Sequence, residues 1–200
     1  MLINHTRLTN TPVLSLHLGG RVAVATTPIL NPANLRIVAF TLNTPTTNGS
    51  RQELFLLAND IREYGPLGFI VDSTDDFVQK GDVIRLDEII ALNFDLLKLT
   101  VYEEGGRKLG KVHGYVVDAS TFEVQQISVK QGLIKSIAET GGLLIHRSQI
   151  IEINDTSIIV KSTKQPLAQP TTEQTRGAFV NPFRAANQSP QPDSASRTSS

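Results

Sequence analysis

The stretch GGRKLGKVHGYVVD, residues 105–118, decides the fold class of this chain. It opens with two glycines, and paired glycines are typical of a tight hairpin turn between antiparallel strands. Gly110 lies where the strand of a small, curved sheet would bend. The stretch ends at Asp118, and Asp side chains commonly hydrogen-bond nearby backbone groups and favour turns. The stretch therefore predicts a bent strand in a small β-structure.

Three short segments of the first half match segments of the second half at a nearly constant offset. The offset grows only from 86 to 89 residues along the chain, as loop insertions would cause. Two copies of one all-β unit of roughly 80 residues explain this pattern better than one large sandwich. The matched segments are residues 19–21 with 105–107, 35–40 with 122–127, and 59–61 with 148–150.

The composition also favours many short strands. Aromatic residues make up 6% of the chain and Trp is absent, so a core must consist mainly of Val, Ile and Leu. Branched side chains of this kind fit a pleated sheet. Small closed barrels suit such units, because closure removes the exposed sheet edges.

Residues 98–161 resemble the PRC-barrel family. The resemblance rests on residues 105–112, 115–118, 123–129, 146–153 and 157–160. Residues 14–73 resemble the same family more weakly, mainly through residues 59–73, which are similar to tandem PRC-barrel proteins of bacteria. The resemblance implies an all-β fold of two tandem small PRC-type β-barrels. It also implies a docking or assembly role, as in the photosynthetic reaction-centre H subunit and a ribosome maturation factor.

The sequence predicts four regions: a divergent first barrel over 1–81, a linker helix over 82–97, a second barrel over 98–164, and a disordered tail over 165–200. The tail is rich in Pro, Gln, Ser, Thr and Asn, which bury too little apolar surface to fold. In the linker, Leu86, Ile89, Ile90 and Asn93 fall at helical spacing, and Asp82 is a candidate cap. We expect the helix to pack between the barrels, although a strand over residues 82–86 is the alternative.

Cysteine is absent, which excludes disulfides, thiolate zinc sites and cysteine nucleophiles. No segment has the apolar character of a signal peptide or of a membrane span, so we expect a soluble, cytoplasmic protein. The net charge is zero, which argues against a dedicated nucleic-acid binder. The second unit has a small surplus of basic residues, too small to name a partner.

Two sets of residues are candidates for binding a partner. Arg107, Lys108 and Lys111 flank one hairpin and belong to a modest basic set that also includes Lys98, Lys130 and Lys135. Such a set contacts RNA phosphates or is simply solvated charge. Phe179 and Phe183 form an apolar island within the polar tail, and such islands dock in grooves in some disordered chains.

Other motifs have ordinary structural interpretations. Histidines 5, 17, 113 and 146 lack zinc-ligand spacing, and residues 72–76, with three acids, lack a calcium-loop pattern and fit a solvated turn. Residues 132–139 suggest a short helix that plugs the barrel. No nucleotide-binding loop or nucleophile motif is present.

The sequence thus favours a non-catalytic scaffold or adaptor that binds another protein. The alternative is an RNA- or ribosome-associated accessory factor. Neither interpretation requires a cofactor, a metal, a small-molecule substrate or membrane insertion.

Overall fold

The computed structural model describes residues 1–44, 53–130 and 142–162, most of which lie in β-strands. Within these ranges one α-helix, α1 (Ile84–Ala91), separates eight strands from six later ones. The predicted all-β class with one short helix is thereby confirmed. The strands are β1 (Leu2–Asn4), β2 (Thr11–Ser15), β3 (Gly20–Asn31), β4 (Arg36–Asn43), β5 (Leu54–Leu57), β6 (Glu63–Gly65), β7 (Gly68–Val71), β8 (Phe77–Gln79), β9 (Thr100–Glu103), β10 (Lys108–Asp118), β11 (Val124–Lys130), β12 (Leu143–His146), β13 (Ile150–Ile153) and β14 (Ser157–Val160).

The strands form two curled sheets of seven strands, and the two strand orders repeat. The first sheet runs β6-β7-β2-β3-β4-β5-β8, and the second runs β13-β14-β9-β10-β11-β12, with β1 beside β10. Each sheet contains one parallel pair, β2 with β7 in the first and β9 with β14 in the second. Six strands of one sheet therefore correspond in order and direction to six strands of the other.

The correspondence extends to the turns that follow β3 and β10, at an offset of 87 residues. Asn31 and Asp118 each accept a hydrogen bond through Oδ1 from the backbone N–H two residues on, at 2.9 and 2.8 Å. Both turns then reach a residue with positive φ, Leu35 at 51° and Phe122 at 55°. Asp118 therefore ends its strand as its residue type predicts.

The two sheets meet at these equivalent turns. The backbone N–H of Ile37 donates to the carbonyl of Phe122, and the N–H of Val124 donates to the carbonyl of Leu35, both at 2.9 Å. Each partner in one bond is the equivalent of the partner in the other bond, so the contact has approximate two-fold symmetry. This arrangement follows from the repeated sequence, because each copy donates one N–H and accepts at one carbonyl through equivalent residues.

The apolar core is continuous across both sheets. The Phe122 ring lies with its centroid 5.8 Å from that of Phe40 and 6.0 Å from that of Phe69. Both sheets belong to one compact unit, Met1–Thr163. Along the chain, the predicted linker 82–97 lies between β8 of the first sheet and β9 of the second. The buried core nevertheless includes residues of both sheets and does not divide at this linker.

The first strand lies in the second sheet, although the sequence assigned residues 1–81 to the first barrel. Leu2, Ile3 and Asn4 pair antiparallel with the end of β10. The side chains of Ile3 and Leu8 are buried in the shared core. The N-terminal segment thus attaches the start of the chain to its second half, a long-range pairing that local sequence pattern does not reveal.

The linker helix is shorter than predicted and packs differently. Leu86 is buried against Ala39 and Phe55 on the outer face of the first sheet, so the expected packing between the two halves is wrong. The Asp82 carboxylate accepts from the backbone N–H of Gln79 at 2.7 Å and does not cap the helix. The helix lies on the first sheet because β8 joins that sheet and is followed within five residues by α1. The strand alternative fails, since residues 84–86 are helical.

The bend predicted at Gly110 coincides with an irregularity of β10. The pairing with β9 shifts register between Lys108 and Gly110. Gly110 has a φ of 151°, and a Cβ there would collide with the carbonyl oxygen of Lys130. Only glycine fits this close approach of β10 to β11.

Candidate docking surface

The basic hairpin proposed from the sequence has three exposed side chains, of which only Arg107 forms an ion pair within the described residues. The Arg107 Nε lies 2.6 Å from the Glu103 Oε2, and Glu103 is 4% exposed. The Ser162 hydroxyl donates to the other oxygen of that carboxylate at 2.9 Å. The hydrogen bond and charge of Glu103 raise the pKa of Arg107. Arg107 is exposed but ion-paired and therefore fixes the hairpin to the carboxylate, whereas Lys108 and Lys111 are exposed and form no ion pair within the described residues.

Lys111 lies directly opposite Lys130 in the pairing of β10 with β11. Both side chains are exposed, and within the described residues neither forms an ion pair. Like charges directly opposite on neighbouring strands destabilise a sheet. The pair thus concentrates positive charge at one place, at a small cost to stability.

Three of the four histidines also belong to the second half of the structure. His5 stacks on Tyr115 with ring centroids 4.8 Å apart, and its Nδ1 accepts the backbone N–H of Tyr115 at 3.2 Å. Burial lowers the pKa of His5, and the nearby His113 lowers it further. His146 contacts Ser148 through Nδ1. In the described ranges, no group of three or more His, Asp or Glu side chains is placed to hold a metal.

The outer face of the second sheet carries an exposed leucine at its edge. Leu144 of β12 is 60% exposed and lies opposite Ser128 of β11. His146, two residues on, is exposed on the same face opposite Gln126. Among the described strands, β11 alone pairs with β12, so the other edge of β12 carries backbone groups without a strand partner.

The equivalent face of the first sheet is covered. At the offset of 89 residues, Leu144 corresponds to Phe55 of β5, which is 2% exposed. Strand β8 pairs with the outer edge of β5, and helix α1 places Leu86 against Phe55 and Ala39. Two equivalent surfaces therefore differ: the chain covers one, and the described residues leave the other exposed. We call Lys111, Lys130, Leu144, His146 and Arg147 the β12 surface.

The acidic segment 72–76 forms a structured turn. Asp72 forms an ion pair with Arg62 at 2.7 Å. Ser73 and Asp76 cap a 3₁₀ turn, Thr74–Asp76, each accepting a backbone hydrogen bond from the other end. The turn leads into β8. These contacts agree with the interpretation as a turn and leave the Asp72 and Asp76 carboxylates engaged in local structure.

Three predictions concern residues outside the described ranges, and one of them is the disordered tail over 165–200. The candidate docking residues Phe179 and Phe183 lie in the region 163–200, and the proposed plug helix lies in 131–141. The β12 surface, in contrast, was not found from the sequence. Lys130 was visible as a basic residue, but only the strand register brings it opposite Lys111.

No protein-family model matches the chain, and no curated protein matches it either. The resemblance to PRC-barrels therefore rests on the motifs quoted above. No helix in the described part of the chain is long and apolar enough to cross a membrane.

Proposed function

We propose that this chain is a non-catalytic docking protein of two small PRC-type β-barrels, and that its second half binds another protein. The repeated strand order and the curled sheets support the two-barrel part of the proposal. The family resemblance supports a docking role, because its barrels serve as assembly modules. The proposal includes no catalytic residue, cofactor or metal, and it places the cysteine-free chain in the cytoplasm.

The observation that carries the proposal is the difference between two equivalent surfaces. The first sheet hides its outer edge and face beneath β8 and α1, whereas Leu144 at the equivalent place is exposed. An unpaired edge strand is a template for pairing with another chain. A single exposed leucine is ordinary on a protein surface, so the unpaired edge beside Leu144 is what distinguishes this place.

The test is capture of a protein partner by the full chain and by surface variants. Leu144→Asp should abolish capture, because it removes the apolar side chain and places a negative charge beside the basic residues of the β12 surface. Leu18→Asp is the matched control, since Leu18 is 61% exposed and belongs to the first half. Capture that survives Leu144→Asp, or that is lost equally in both variants, would contradict docking at this surface.

RNA binding is the second candidate function, and the opposed pair Lys111 and Lys130 favours it. Phosphate contacts give an affinity that falls steeply with salt. Under this alternative, the double variant K111E/K130E should lose binding to a mixed-sequence single-stranded RNA at low salt. The docking proposal expects the unmodified chain to bind no such RNA at the same salt concentration.

A further inference from the structure

We infer that the edge of β12 that pairs with none of the described strands accepts an acidic, extended segment of a protein partner, which adds to the second sheet as an antiparallel strand. This inference rests on the proposed docking function and specifies the partner's chemistry. It uses the first half of the molecule as a template for the second half.

The template is the pairing of β5 with β8. Leu54, Phe55 and Leu56 pair antiparallel with Gln79, Val78 and Phe77, respectively. At the offset of 89 residues, the three β5 positions correspond to Leu143, Leu144 and Ile145 of β12. The 3₁₀ turns that follow both strands, Ala58–Asp60 and Arg147–Gln149, also coincide at this offset. A strand could therefore pair with β12 in the way that β8 pairs with β5, and it would place an apolar residue opposite Leu144.

The charges around β12 select an acidic strand. In the first half, the acids before Phe77 lie towards the turn that contains Asp60. Burial raises the pKa of Asp60, and the charge of Asp76 raises it further, so an acid on the incoming strand meets like charge there. The second half has Gln149 at the position of Asp60 and Arg147 at the position of Ala58. The Arg147 Nη1 donates to the Val124 carbonyl of β11 at 3.4 Å, which holds the guanidinium at this end of β12, where the same acids would meet it.

The other end of β12 is basic as well. Leu143 pairs with Val129, so the next residue of β11, Lys130, lies beside the beginning of β12. Lys130 is opposite Lys111 across the sheet. A partner carboxylate at this end would relieve the repulsion between the two ammonium groups. A second copy of this surface would instead bring lysine against lysine or arginine, which disfavours self-pairing through β12.

The chain supplies its own probe peptide. Residues 72–79, DSTDDFVQ, contain the strand that covers the template edge and the acids that precede it. The peptide ends at Gln79, so its terminal carboxylate, and not the Lys80 ammonium group, lies at the Lys130 end of β12. We expect this peptide to bind the full-length chain at low salt and to shift amide resonances in residues 143–147. A version with Asn in place of the three Asp residues should bind about ten-fold more weakly, because it keeps the strand and loses the charge. Arg147→Gln should weaken binding of the acidic peptide, whereas the control Arg21→Gln should not.

Backbone pairing is tested with methylated peptides. Alternate residues of an added strand donate their N–H groups to the neighbouring strand. One peptide carries a backbone N-methyl group at Val78, and a second carries such groups at Phe77 and Gln79. We expect one of the two peptides to lose binding and the other to keep it. Equal effects, shifts confined to β5, or no saturable binding would overturn the inference. Displacement of the peptide by single-stranded RNA, or a dimer of the chain that Leu144→Asp disperses, would also overturn it.

The two proposals fail separately. If the peptide does not bind while capture of a partner still depends on Leu144, only the acidic-strand inference is wrong. If capture is also independent of Leu144, the proposed docking function is wrong as well.

Discussion

The two halves of this protein share a strand order, but only the first half buries the outer face of its sheet within the described residues. In the first half, the chain after β7 returns as β8 and α1 and buries Phe55. In the second half, Leu144 occupies the equivalent place and is exposed. A repeated fold thus distinguishes what the fold requires from what it leaves free. The shared turns and core belong to the fold, and the exposed β12 surface is a feature that stability does not demand.

The largest expected effect concerns the contact that both halves share. Phe122→Ala removes a buried ring that packs on Phe40 and Phe69. We expect the free energy of unfolding to fall by ~3–5 kcal/mol, as for other buried aromatic truncations. Because the core is continuous, denaturant unfolding followed by circular dichroism should remain a single transition at lower midpoint. Two separate transitions, only one of them shifted, would show that the halves unfold independently.

The next prediction compares the covered and exposed surfaces directly. Leu86→Ala should lower the free energy of unfolding by ~2–4 kcal/mol, since Leu86 is buried against Ala39 and Phe55. Leu144→Ala should change it by less than ~0.5 kcal/mol, because the side chain is largely exposed. Chemical denaturation of both variants measures the difference. Equal losses would mean that Leu144 is covered in solution and would remove the contrast between the halves.

The contrast was only partly visible in the sequence. The matched segments 35–40 and 122–127 predicted the repeat, and the residues of both contain the turn contacts that join the sheets. Sequence periodicity also predicted α1 but not the sheet it packs on, because a narrow apolar stripe fits several surfaces. The opposition of Lys111 and Lys130 depends on a register that shifts between Val112 and Gly114. Irregularities of this kind have no reliable local signal.

The attachment of β1 should make the second half sensitive to acid, with a smaller effect. Burial lowers the pKa of His5 below 6.5, so the unfolded chain binds a proton more readily than the folded chain. The stabilisation is therefore complete above the unfolded pKa and decreases as the pH falls through 6.5 towards the folded value. Protonation at Nδ1 would also remove the acceptor of the Tyr115 N–H.

The comparison of the chain with His5→Phe isolates this effect. Phenylalanine retains a ring against Tyr115 and does not titrate. Denaturation midpoints measured between about pH 7.5 and 5 should fall more steeply for the unmodified chain than for the variant. Parallel pH profiles would show that other groups cause the acid sensitivity.

The smallest expected effect tests whether the β12 surface trades stability for binding. Lys130→Glu replaces a like-charged pair with an opposite pair across β10 and β11. Cross-strand pairs of opposite charge contribute ~0.2–1 kcal/mol, so the variant should be slightly more stable at low salt, with the gain screened at high salt. The same change should weaken binding of the acidic peptide. Lys80→Glu in the first half is the control, since Lys80 is exposed and remote in sequence from this pair. A variant that loses stability would show that Lys130 has a structural role, and the positive charge at this edge would no longer mark a docking site.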